Sequence, residues 1–127
     1  ARGGGVELAL AADVRIATPE ASFAEPGVSL GVFGAWGGTR RLVDAVGTTH
    51  AADLSYSGRP VDAQTALEMG LVSRVVADPK SVAEAIAEND SAALHELKRL
   101  LADPQPQREQ ERRERAAFER LLEDGLQ

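Results

Sequence analysis

Three consecutive glycines, Gly3-Gly4-Gly5, stand just ahead of Glu7 and lead into the run Leu8-Ala9-Leu10-Ala11-Ala12. A glycine-rich turn that opens a helix offers bare backbone N–H groups, and the positive end of the helix dipole favours negative charge there. Without a Cβ, the backbone also lets a reacting group come close. The chemistry this suits is the holding of a developing oxyanion by fixed donors in a water-poor place. Glu7 follows Gly4 by about one helical turn, so a carboxylate able to move a proton would stand beside those donors. A first-turn glutamate can also do no more than complement the helix dipole. Burying a carboxylate among Ala and Leu is unfavourable unless it is partnered, which gives weight to the chemical reading.

A second glycine-rich stretch runs from Glu25-Pro26-Gly27 to Gly37-Gly38-Thr39 and holds five glycines in fifteen residues. Apolar residues between them predict an irregular but packed backbone that approaches something closely. Trp36 reads as a pocket wall or a packing residue. Arg40 and Arg41 could reach a phosphate, though paired arginines at a helix start are more often solvated or ion-paired. His50 and His95 stand alone without ligand spacing, so no metal site is predicted. Ser22 and Ser29 have no base motif nearby.

The elements that must position these residues follow from patterning. An Ala/Leu-rich helix over 6–12 is apolar on nearly all sides and should be buried. Alternation over 13–17 predicts a short strand, with a second over 21–24. Helices are expected over 39–46, stopping at Gly47, and over 49–56, stopping near Gly58. Asp62 reads as the N-cap of a helix that Gly70 ends. A strand over 71–76 and helices over 81–88, 91–101 and 107–123 complete the chain, with a break at Asp103-Pro104-Gln105-Pro106. The last helix interleaves its charges, and the spacing predicts the pairs Glu109/Arg113 and Glu111/Arg115. Its narrow stripe of Phe118, Leu121 and Leu122 suits one packed face of a solvated helix, or a helix that docks on another subunit.

Composition narrows the classes. The 127 residues suffice for one modest core. The mixture of 43% hydrophobic and 27% charged residues argues against disorder. A net charge of -6 argues against nucleic acid as a partner. The absence of cysteine excludes disulfides, cysteine-ligated zinc and a thiol nucleophile. No apolar run reaches the length of a membrane span, and the N-terminus lacks the layout of a signal peptide. The start at Ala1-Arg2 predicts a further segment upstream.

Four ordered blocks carry a resemblance. Gly3-Gly4-Gly5-x-Glu7-Leu8-Ala9-Leu10-Ala11-Ala12-Asp13-x-Arg15-Ile16-Ala17 comes first, then Phe23-x-x-Pro26 running to Leu30-Gly31. Gly37-Gly38-Thr39-x-Arg41-Leu42 is the third. Gly58-Arg59-x-x-x-Ala63-x-x-Ala66-x-x-x-Gly70-Leu71-Val72 is the fourth. Together they resemble the crotonase (enoyl-CoA hydratase/isomerase) superfamily across residues 2–76. The resemblance implies an α/β fold: the later turns of a crotonase-like ββα spiral over 1–76, followed by a C-terminal helical region over 77–127. It implies an acyl-CoA-processing enzyme whose substrate is a coenzyme A thioester, with no further cofactor. Gly4 would give one of two oxyanion N–H donors, the other lying on a loop upstream of this sequence. Gly5, Gly27 and Trp36 would adjoin the substrate.

Glu7 matches the first of the two glutamates that hydratases of the family use as acid and base. At the position of the second stands Gly27, and the acidic position of dienoyl isomerases is Ala35. Glu25, on the other side of Pro26, would have to substitute through a shifted backbone. Alternatives to a hydratase are therefore a single-carboxylate isomerase, hydrolase or decarboxylase, and a non-catalytic acyl-CoA-binding or assembly subunit. Family members commonly form trimers or hexamers, so the expected partners are acyl-CoA and either copies of this chain or a complementing N-terminal chain. The expected location is the cytoplasm.

Overall fold

A computed structural model of the chain describes residues 1–125. It forms two compact units, the first spanning Ala1–Pro79 and the second beginning at Lys80. The first unit contains helix α1 (Gly4–Leu10) and two short strands, β1 (Ile16–Ala17) and β2 (Ser22–Phe23). A 3-10 turn (Pro26–Leu30) and helix α2 (Gly38–Ser57) come next. Strand β3 (Val61–Asp62), helix α3 (Ala63–Met69) and strand β4 (Arg74–Val75) complete the unit. α4 (Pro79–Ala87) starts at the boundary, and α5 (Ser91–Ala102) and α6 (Gln107–Asp124) follow.

The strands form two small ladders. β1 runs parallel to β4, with Ile16 opposite Arg74, and β2 runs antiparallel to β3, with Phe23 opposite Val61. The β1/β4 ladder is shorter than the strands expected over 13–17 and 71–76, because backbone groups just before β4 are already in use. The N–H groups of Leu71 and Val72 turn back to the carbonyl of Ala66 at 2.8 and 3.4 Å, closing α3. Arg15 is drawn into the same closure, its Nε donating to the Leu71 carbonyl at 2.7 Å. The helix expected after Asp62 forms as read: the Asp62 carboxylate accepts from the N–H of Thr65 at 2.8 Å, a side-chain N-cap. The two helices expected on either side of Gly47 abut directly, with Gly47 at φ 81° marking the join.

The core of this unit gathers Val6 and Leu10 from α1, Leu42, Val46 and Leu54 from α2, and Ala66, Leu71 and Val72 around α3. α1 is not buried on all sides, as its composition predicts. Leu8 is 72% exposed, while Val6, Glu7 and Leu10 face inward.

In the second unit α5 and α6 pair. Asp90 caps α5 through the N–H of Ala93 at 2.8 Å, and Arg120 reaches Glu96 at 3.0 Å. The expected i,i+4 pairs give way to other partners. Glu109 pairs with Arg112 at 3.2 Å, and Glu111 accepts from Gln107 at 2.7 Å. Arg113 turns back to the Asp103 carbonyl at 2.7 Å, where a carbonyl at the end of α5 needs a donor. On α6, Ala117 is buried while Phe118 and Leu122 remain largely open.

Candidate active site

Glu7 is the one buried charged residue of the described chain, at 4% exposure. It sits in the first turn of α1 because the glycine triplet starts the helix at Gly4. Its Oε2 accepts a hydrogen bond from the backbone N–H of Trp36 at 3.0 Å. Gly34 and Gly38 press against the same carboxylate. A Cβ on Gly38 would stand 2.5 Å from Oε1 of Glu7, and a Cβ on Gly34 would run into the carboxylate outright. The second glycine-rich stretch is thus a close-fitting cover for Glu7, which accounts for the missing side chains at both positions.

The glycine triplet divides its amides. The N–H of Gly3 donates to Ala24 at 2.9 Å and that of Gly5 to Arg2 at 2.9 Å, while those of Val6 and Glu7 both turn to the Gly3 carbonyl. Among the described residues, the N–H of Gly4 meets no backbone acceptor. Gly5 therefore has no amide to spare for a substrate oxygen, and it lies exposed, where an added Cβ would meet only the Ala1 side chain at 3.6 Å. Gly4 lies under the indole of Trp36, close enough that an added Cβ would stand 2.8 Å from the ring. Trp36 is otherwise 69% exposed.

Glu7, Glu25 and Gly27 line one cavity of about 560 Å³. Val28, Val32, Phe33 and Leu42 give it apolar walls, and Thr39, Ser55 and Tyr56 give it a polar side. The proton affinity of Glu25 is raised above the ordinary carboxylate range, first by burial and then by the charge of Glu7. Two carboxylates in one cavity therefore differ in kind. Glu7 is clamped by a backbone donor, and Glu25 holds its proton more readily than an ordinary carboxylate. At Gly27 a Cβ would meet the Val32 carbonyl at 2.8 Å, and that turn is fixed by a 3.0 Å bond from Val32 N–H to the Gly27 carbonyl. The loop leaves no room for a side chain after Pro26. Among the described residues no group of His, Asp and Glu is arranged to hold a metal ion.

The Enoyl-CoA hydratase/isomerase family model matches residues 1–124. The chain belongs to that family. A probable enoyl-CoA hydratase of Mycobacterium leprae is 41% identical over 132 aligned residues, covering 99% of this chain and 46% of the relative. A crystal structure of enoyl-CoA hydratase from Thermoplasma volcanium superposes with a TM-score of 0.89 at 34% identity, covering 98% of this chain and 52% of that one. A putative enoyl-CoA hydratase from Thermobifida fusca in complex with CoA gives a TM-score of 0.85 at 33% identity, covering 97% of this chain and 51% of that one. The chain thus spans about half the length of the relatives it matches. Its α/β architecture and helical C-terminal part are those of the enoyl-CoA hydratase/isomerase fold.

In this family member the structure brings Glu7, Glu25 and Gly27 to one cavity, and sets Gly4 with Trp36 beside Glu7. Trp36 contributes its peptide N–H to Glu7, a role that its side chain could not announce. Sequence reasoning missed Gly34 and Gly38 as the surroundings of Glu7, and Arg41 as the donor to the Trp36 carbonyl. The Gly-Gly-Thr-x-Arg motif was the available signal, but nothing in its spacing points thirty residues back to α1. Arg40, by contrast, pairs with Asp44 at 3.1 Å on an exposed face and stays clear of the cavity.

Proposed function

We propose that this chain carries acid–base chemistry on an acyl-CoA thioester, with Glu7 and Glu25 as its two carboxylates. In the forward direction Glu7 takes a proton from water as the oxygen adds to the β-carbon of an enoyl thioester. Glu25, whose proton affinity burial raises, delivers one to the α-carbon. Hydration then adds the elements of one water, and each carboxylate ends in the other's starting state. The unpaired Gly4 amide supports a role as donor to the thioester oxyanion, which strengthens as negative charge develops. The observation that carries the reading is the buried Glu7 carboxylate, fixed by one backbone donor at the wall of an apolar cavity that Glu25 also lines. The family's CoA-bound member supports coenzyme A as the carrier of the acyl group. As a whole protein we expect a homo-oligomer acting in the cytoplasm; no described helix is long and apolar enough to cross a membrane.

A second reading is favoured by Gly27, where the loop admits no side chain. Here Glu7 alone shuttles a proton between two carbons, as in a single-carboxylate isomerase, and Glu25 is only a wall. Turnover of crotonyl-CoA and of a β,γ-unsaturated thioester by the full-length protein carrying these residues separates the two. Glu7→Gln keeps the shape and loses the base, so both activities should fall by roughly 10²–10⁴-fold. Glu25→Gln should depress hydration under the first reading and leave isomerisation intact under the second. If Glu7→Gln turns over acyl-CoA at the parent rate, both readings fail; if the parent binds acyl-CoA without turning it over, an acyl-CoA-binding subunit remains.

A further inference from the structure

We infer that Arg41 is a positioning residue for Glu7, acting through the backbone of Trp36. This rests on Glu7 being the acid–base group proposed above. The chain of contacts is short. Arg41 Nη1 donates to the Trp36 carbonyl at 2.9 Å, and the Trp36 N–H donates to Glu7 Oε2 at 3.0 Å. A guanidinium on α2 and a carboxylate on α1 thus hold opposite sides of one residue in the connection between the 3-10 turn and α2.

Beyond the close fit of Gly34 and Gly38 on Glu7 and of the indole on Gly4, that connection has few fixed points. The Trp36 indole is 69% exposed, and Phe33 and Val32 are 80% and 57% exposed, so apolar burial does not pin the loop. Gly34 and Gly37 flank it and leave the backbone permissive. Gly37 sits under the Arg41 guanidinium, where a Cβ would stand 2.8 Å from Nη1. Arg41 passes over this turn and reaches the carbonyl just before it. A planar guanidinium with several fixed donors suits the task of holding one carbonyl in a set direction. Its side chain is exposed, so removing it empties no core. The effect of its loss falls on where the Trp36 peptide points, and through that on the carboxylate.

The test uses the full-length protein carrying these residues, with Arg41→Gln, Arg41→Lys and Glu7→Gln. Loss of carboxylate aim by about 1 Å lowers turnover steeply. Arg41→Gln should reduce kcat roughly 10- to 100-fold with KM changed less than about 3-fold, and leave the thermal midpoint near that of the parent. Arg41→Lys, which retains one donor for the carbonyl, should recover most of the lost kcat. In a Glu7→Gln background, Arg41→Gln should cause no further loss of the residual rate, because the group it aims is already gone. An unchanged kcat in Arg41→Gln overturns the inference. So does a fall in kcat that tracks an equal loss of folded protein, or a further full loss in the Glu7→Gln background. If instead Glu7→Gln is fully active, the functional reading fails, and the inference that Arg41 aims a catalytic carboxylate is overturned with it, whatever Arg41→Gln does.

Discussion

Gly38→Ala tests the contact between the glycine-rich cover and the Glu7 carboxylate directly. The three nearest atoms to an added Cβ all belong to Glu7: Cγ and Oε1 at 2.5 Å and Cδ at 2.8 Å. Ordinary contact begins near 3.4 Å, so the end of Glu7 must retreat by about 1 Å. Gly38 is itself buried at the start of α2, which leaves the backbone little freedom to yield instead. That retreat takes Oε2 out of reach of the Trp36 N–H, now at 3.0 Å. Loss of a hydrogen bond to a charged group costs about 1.5–3 kcal/mol. Overpacking adds about 1–3 kcal/mol, and the better helix propensity of Ala returns about 0.5–1 kcal/mol. Net destabilisation should be about 1.5–5.5 kcal/mol, read as a lowered urea midpoint at unchanged slope. Glu7→Ala removes both the clash and the bond, so in that background Gly38→Ala should be neutral or slightly stabilising. The double-mutant cycle should therefore return a coupling of about 2.5–6 kcal/mol, the hydrogen-bond and overpacking contributions together. Equal effects of Gly38→Ala in the two backgrounds would refute the reasoning, because the carboxylate could not then lie where the glycine stands.

Two further outcomes follow from burial. Glu25 has its folded-state pKa raised, so its protonated form favours folding and this contribution is lost as pH rises through that pKa. Glu25→Gln should thus raise the melting temperature at neutral pH, and the advantage should fade as pH falls towards about 4, where the unfolded carboxyl is protonated too. A stabilisation as large at pH 4 as at pH 7 contradicts the assignment. Leu71 is 2% exposed in the core beside α3, and Leu71→Ala should cost about 2–5 kcal/mol in denaturant unfolding. A loss under about 1 kcal/mol would show that the site collapses around the smaller side chain.

The helices were legible because their signals are local. Asp62 and Gly70 bracket α3, Gly47 marks the join within α2, and Asp103-Pro104 ends α5 as its breaker chemistry requires. The strands were legible only as to place. The start of β4 was decided by the Ala66 carbonyl, which takes the N–H groups of Leu71 and Val72, and by the Arg15 side chain, which arrives from far along the chain to take the Leu71 carbonyl. Burial of α1 was overestimated because composition records how apolar a helix is and not how many neighbours cover it, as Leu8 illustrates.

By itself the sequence determined the starting chemistry: a glycine triplet opening a helix, Glu7 one turn on, and no carboxylate directly after Pro26. Those are properties of residue type and short spacing, which helix geometry converts into position without help. Only the tertiary structure decided that Glu25 shares a cavity with Glu7, that Gly4 alone of its triplet keeps an amide unclaimed by the backbone, and that Trp36 donates through its backbone. Each of these depends on bringing residues 7, 25 and 36 together across two turns and a loop. Hydrogen-bond direction and the room left by a missing Cβ are fixed by that packing, and no local pattern encodes them.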